Sequence, residues 1–120
     1  MPTSDLTTVV RRHGGAAVID LVGDVDARAE TALDLAWDEA LRDRPDAVVL
    51  SFADTGYINS TGIALIVGLL AKARARALPV RAYGLSEHYR EIFEITRLAD
   101  FLTIRNDEES AVRGADRSNA

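Results

Sequence analysis

The chain has no cysteine. That absence excludes disulfides, thiolate metal ligands and cysteine nucleophiles, and it suits a reducing cytoplasm. A lysine- and arginine-rich stripe is also missing. The 14 basic and 19 acidic residues are interspersed and leave a net charge of −5. This argues against nucleic acid or an anionic membrane as the direct partner. Long hydrophobic runs are absent too. The longest, Gly62 to Ala71, spans ten residues against the ~20 of a membrane helix, so membrane insertion is not expected. The opening residues, MPTSDLTTVV, lack the basic-then-apolar pattern of a secretory signal. Apolar residues, in contrast, make up 48% of the 120. That is enough for one domain with one core that needs no covalent staples.

The pattern along the chain alternates strands and helices. Leu6 to Arg12 has a β-branched centre, and His13-Gly14-Gly15 reads as a hairpin turn. Ala16 to Val22 follows as a mostly buried strand, which Gly23 ends. Ala29, Leu33, Ala36, Trp37, Ala40 and Leu41 recur at helical spacing, with Asp34, Asp38 and Arg42 on the opposite face. Pro45 stops that helix. Ala47 to Phe52 reads as a central parallel strand, and Asp54-Thr55-Gly56 as a polar turn. A helix is expected from Ser60 to Ala77, with Lys72, Arg74 and Arg76 complementing its dipole.

Val80 to Tyr83 is the next strand. Ser86 caps a helix whose face is Tyr89, Ile92, Phe93 and Thr96. Thr103 to Arg105 forms a last strand and residues 106–112 a short helix. Residues 1–5 and 113–120 are expected to be disordered, leaving one domain over 6–112. The order β-β-α-β-α-β-α-β-(α) implies βαβ crossovers. The expected fold class is therefore α/β, a mixed, mostly parallel sheet of about five strands with helices packed against it.

Catalytic chemistry finds little support. A serine nucleophile needs a base in reach, but His13 lies in a turn and His88 in the first turn of a helix. No G-x-S-x-G elbow surrounds Ser60. Metal-ligand spacings and phosphate-binding glycine loops are also absent. Asp24 and Asp26, two apart, read as turn and cap chemistry. No catalytic residue, metal or cofactor is assigned.

The stretch Tyr57-Ile58-Asn59-Ser60-Thr61-Gly62-Ile63-Ala64 is more informative. It sets Ser60 and Thr61 at the mouth of a helix that follows directly on a strand. A hydroxyl there is either a cap or a chemical handle. Asn59, Ser60 and Thr61 can each cap, and three candidates exceed what capping needs. The helix behind them is apolar nearly all round, whereas packing on a sheet requires only a stripe. The remaining surface must meet another helix or a partner.

These residues resemble the STAS domain family, in its anti-sigma factor antagonist branch. Gly23-Asp24-Val25-Asp26 resembles the family's entry to the first helix. Residues 57–64 resemble its signature, and the likeness runs from Leu6 to Val112. The resemblance implies that Ser60 is a phosphoacceptor, with Thr61 as a secondary candidate. It implies a partner surface of Asp24, Asp26, Tyr57, Asn59, Ser60, Thr61, Gly62 and Ile63. The implied partners are an anti-sigma factor with serine/threonine kinase activity and a metal-dependent Ser/Thr phosphatase. Unphosphorylated antagonist would capture the anti-sigma factor and thereby free a sigma factor for transcription. Two other roles fit the same family: a STAS scaffold in a stress-sensing complex, and an accessory subunit of a membrane transport system. The signature departs from the family at Asn59, where Asp is usual. Asn also caps a helix but brings no carboxylate.

Overall fold

The ten-residue strand β2, Ala16–Val25, is the axis of the sheet in the computed structural model, which describes residues 5–116. Before it comes β1, Thr7–His13, paired antiparallel with His13 opposite Ala16. Only Gly14 and Gly15 connect the two strands. Gly14 takes a φ of 64°, the left-handed conformation that so tight a hairpin loop requires. The first half of β2 pairs in parallel with β3, Ala47–Ser51. Beyond β3 lie β5, Val80–Tyr83, and β6, Thr103–Ile104, both parallel.

The second half of β2 pairs with a further strand, β4, Thr55–Ile58. The sheet thus has six strands in the order β1-β2-β3-β5-β6, with β4 on β2. Two expectations are corrected here. Gly23 does not end β2. It takes a φ of 109°, and the register shifts between Gly23 and Val25, so the strand bends through a bulge and continues. Thr55 and Gly56 are not simply a turn, because the bent end of β2 offers their backbone a ladder.

The helices are α1, Glu30–Ala40, α2, Ser60–Ala75, α3, Glu87–Ile95, and α4, Glu108–Asp116. None is long and apolar enough to cross a membrane. Short 3-10 turns flank α1, and Arg44, with φ of 50°, closes the second of them just before Pro45. Arg12 grips the other side of this end, donating to the carbonyls of Ala40 at 2.8 Å and Glu39 at 3.0 Å. Ser86 caps α3 by accepting the Tyr89 N–H at 3.2 Å.

The disordered tail expected from residue 113 is a further correction, because α4 continues to Asp116. Asp107 caps that helix by accepting the Ser110 N–H at 2.8 Å, and Ala111 and Val112 are buried beneath it. Residues 1–4 and 117–120, also expected to be disordered, lie outside the described residues. Asp5, the last residue of the expected disordered start, pairs with Arg28 at 2.6 Å.

Strand alternation divides the core in two. Ala17, Ile19, Leu21, Val48, Leu50, Val80 and Ala82 face the side covered by α1, α2 and α3. Phe52 and Phe93 close that core edge to face, 5.9 Å apart. Ala16, Val18 and Val49 face the other side, where Ala111 and Val112 of α4 cover them. A polar cluster holds α4 there. Arg11 binds Asp20 at 2.7 Å and Glu108 at 2.9 Å, the Tyr83 hydroxyl donates to Glu108 at 2.7 Å, and His13 Nδ1 lies 2.6 Å from Glu108. These hydrogen bonds, above all that from Arg11, bring the Glu108 carboxyl down to a pKa of about 2.

Candidate functional site

The strand-to-helix junction from β4 into α2 resolves which residue is the cap. Asn59 has extended backbone, with φ −96° and ψ −177°, and its side chain accepts the Gly62 N–H at 2.8 Å. Asn59 is therefore the N-cap. Ser60 is the first helical residue, and both Ser60 and Thr61 are exposed. No hydrogen bond among the described residues holds either hydroxyl. The first turn of α2 carries no acidic residue, whereas its last turn carries Lys72 and Arg74. Its positive end is thus uncompensated, and it favours an anion.

The junction is pinned from several directions. The Asn59 N–H donates to the Val25 carbonyl at 3.3 Å. Gly62 is buried against the same carbonyl, and a Cβ there would overlap the Val25 oxygen and carbon. The helix approaches β2 so closely that only glycine fits. Thr55 Oγ1 donates to the Leu21 carbonyl at 2.7 Å, and the Ile58 N–H donates to the Tyr89 hydroxyl at 2.9 Å. Neither Thr55 nor Tyr89 was marked as a site residue by the sequence. Tyr89 showed only as one member of an apolar helical face, and nothing there signals that its hydroxyl reaches a backbone amide in another element.

The residues of the inferred partner surface separate into two groups. Tyr57, 62% exposed, joins Ser60 and Thr61 on the surface. Asn59 and Ile63 are half-buried, and Ile63 packs on the core. Gly62 offers no side chain and is buried, so its part is packing. Asp24 accepts the Tyr57 N–H at 2.8 Å and so ties the end of β4 to the bulge in β2. Asp26 caps the 3-10 turn before α1, accepting the Arg28 N–H at 3.0 Å and an Arg28 guanidinium N–H at 2.7 Å. The Arg28 guanidinium holds the Asp26 carboxyl below the usual carboxylate range. Both aspartates thus position the neighbouring backbone.

The histidines lie in other surroundings. His13 is on the face of the sheet that α4 covers, against Glu108, and the His88 ring packs edge-on against Tyr89, 4.9 Å away. Among the described residues no group of three His, Asp or Glu is placed to hold a metal ion.

Comparison with known proteins agrees with this geometry. The family described as "Mlab, STAS domain" matches residues 8–104. The anti-sigma-F factor antagonist RsfB of Mycobacterium tuberculosis is 25% identical over 97 residues, covering 71% of this chain and 80% of RsfB. An anti-sigma factor antagonist from Mycobacterium paratuberculosis has the same fold, with a TM-score of 0.78 at 20% identity over 94% of this chain and 96% of that one. The Bacillus cell fate determinant SpoIIAA in its phosphorylated form matches with a TM-score of 0.68 at 19% identity, over 90% of this chain and 99% of that one. With its sheet, its pinned junction and a family match across most of its length, this chain belongs to the STAS domain family.

Proposed function

We propose that this chain is an anti-sigma factor antagonist, switched off by phosphorylation of Ser60. The observation that carries the reading is the division of labour at the mouth of α2. Asn59 caps the helix, which leaves the exposed Ser60 hydroxyl free for transfer. The antagonist RsfB supports the same role, and a STAS fold solved with its phosphate in place supports the compatibility of the fold with that charge.

Phosphate on Ser60 would add about −1.5 to −2 charges beside an uncompensated helix N-terminus. The domain tolerates that charge, at a gain on the order of 0.3–1 kcal/mol. A partner surface fitted to a neutral hydroxyl does not tolerate it. The switch therefore acts on binding and leaves the fold in place. Tyr57, Ser60 and Thr61 form the outer contact, with Asn59 and Ile63 at its edge. The partner is an anti-sigma factor that is also the Ser/Thr kinase, and a metal-dependent phosphatase resets the switch in the cytoplasm.

The test is binding to the anti-sigma factor of the same organism by calorimetry. Ser60→Ala keeps the affinity of the unmodified chain. Ser60→Asp loses at least about 2 kcal/mol, roughly thirtyfold. If kinase and ATP leave both Ser60 and Thr61 unmodified by mass spectrometry, the proposed switch fails. Megadalton assemblies on size exclusion would favour the scaffold role. Co-purification of either variant with an ATP-binding cassette subunit would favour the transport role.

A further inference from the structure

The face of the sheet that α4 covers holds two contrasting arginines. Arg11 is held by two carboxylates, Asp20 and Glu108. Arg81, on the same face in β5, has none among the described residues. Val80 and Ala82 beside it turn into the opposite core, so Arg81 shares its face with Tyr83. The Tyr83 hydroxyl is already committed to Glu108. Arg81 Nη1 is buried and has no hydrogen-bond partner among the described residues. Burial lowers the pKa of this guanidinium, and the nearby Arg105 lowers it further. No carboxylate among the described residues acts against them.

The neighbours are fixed by the sheet. Thr103 stands in register with Arg81, and parallel partners point to the same side. Arg105 follows two residues later, its N–H donating to the Ala82 carbonyl at 2.7 Å. Thr103 and Arg105 are exposed, and Arg81 is half-buried at the boundary. The chain carries 19 acidic residues and a net charge of −5, yet among the described residues none forms an ion pair with Arg81 or Arg105. A buried donor atom with no partner is costly, and a second cation beside this guanidinium adds repulsion. Both costs fall when a doubly charged anion with several acceptor oxygens binds between them, because the guanidinium fork matches that geometry.

We propose that Arg81, Arg105 and the Thr103 hydroxyl form a binding site for a phosphate-type oxyanion, either free phosphate or the phosphate of a small monoester. It lies at the β5–β6 edge, on the sheet face that carries α4, and is independent of the switch at Ser60.

The test is a titration of the full chain with sodium phosphate, followed by NMR of backbone and arginine side-chain N–H groups. Sodium chloride at matched ionic strength is the control, and glycerol 3-phosphate is a second arm. Saturable shifts are expected at Arg81, Thr103 and Arg105 with phosphate and not with chloride. Tighter binding of glycerol 3-phosphate assigns the site to a monoester, and equal binding assigns it to the free ion. Arg105→Ala, at an exposed position, keeps the fold and weakens binding by roughly tenfold to a hundredfold, the range for loss of a charged hydrogen bond. Arg81→Met removes saturable binding. Three results would each overturn the proposal: no saturable shift with either ligand, binding unchanged in Arg105→Ala, or shifts centred on the mouth of α2.

Discussion

Asn59 is where this chain departs from the signature it resembles, and the geometry gives that departure a physical meaning. The residue needs an acceptor that reaches the Gly62 N–H, and an amide oxygen serves as well as a carboxylate. Asn59→Ala loses the cap and costs about 1 kcal/mol, read as a lower urea midpoint. Asn59→Asp keeps the bond and adds a negative charge at the helix N-terminus. It gains on the order of 0.3–1 kcal/mol, read as a midpoint shifted the other way. Equal midpoints for all three proteins would mean that the cap contributes nothing. The sequence put Asn59, Ser60 and Thr61 at a helix mouth but did not choose among them. The choice depends on Gly62, whose seat against Val25 fixes where the helix begins. That contact joins residues far apart in the chain and leaves no trace in local spacing.

At the scale of elements, long periodic segments were legible and short conditional ones were not. The spacing of Leu33, Ala36, Trp37 and Ala40 marked α1, and all four are buried. The strand β4 was missed because Thr55 and Gly56 have the composition of a turn. They become a strand only because Gly23 bends β2 toward them. The end of α4 was missed for a similar reason. Its anchor is Glu108, which meets Arg11 from the far end of the chain.

This anchor makes a prediction about pH. The Glu108 carboxyl falls from its ordinary 4.5 to about 2 in the folded chain. The unfolded state therefore binds the proton more readily. The contribution of Glu108 is complete above pH ~4.5 and is lost as pH falls toward ~2. Glu108→Gln should lower stability at neutral pH by about 1–2 kcal/mol. It should also flatten the decline between those two pH values in denaturant titrations. An unchanged acid profile would show that the carboxylate does not hold α4.

For the whole molecule, the decisive feature is uneven cover. Three helices pack on one face of the sheet, and among the described residues α4 alone packs on Val18 and Val49 at the other. The alternation of apolar and polar residues predicted a sheet with packed helices. It did not predict how the helices divide between faces, because Ala16 to Ile19 and Ala47 to Leu50 are apolar on both sides. Deleting residues 107–120 should uncover the lesser face. The expected loss is on the order of 3 kcal/mol, with self-association in sedimentation as Val18 and Val49 become exposed. A truncated chain that stays monomeric at full stability would mean that the main core is sufficient alone.

The pinned junction also has a consequence in time. Thr55 is bonded to a residue 34 positions earlier, and Ile58 to one 31 positions later. During synthesis the turn before Ser60 cannot take its final shape until the chain has been made through Tyr89. A nascent chain that ends short of Tyr89 already contains the serine, but not the frame that presents it. A kinase that recognises this frame would therefore spare chains that end short of Tyr89.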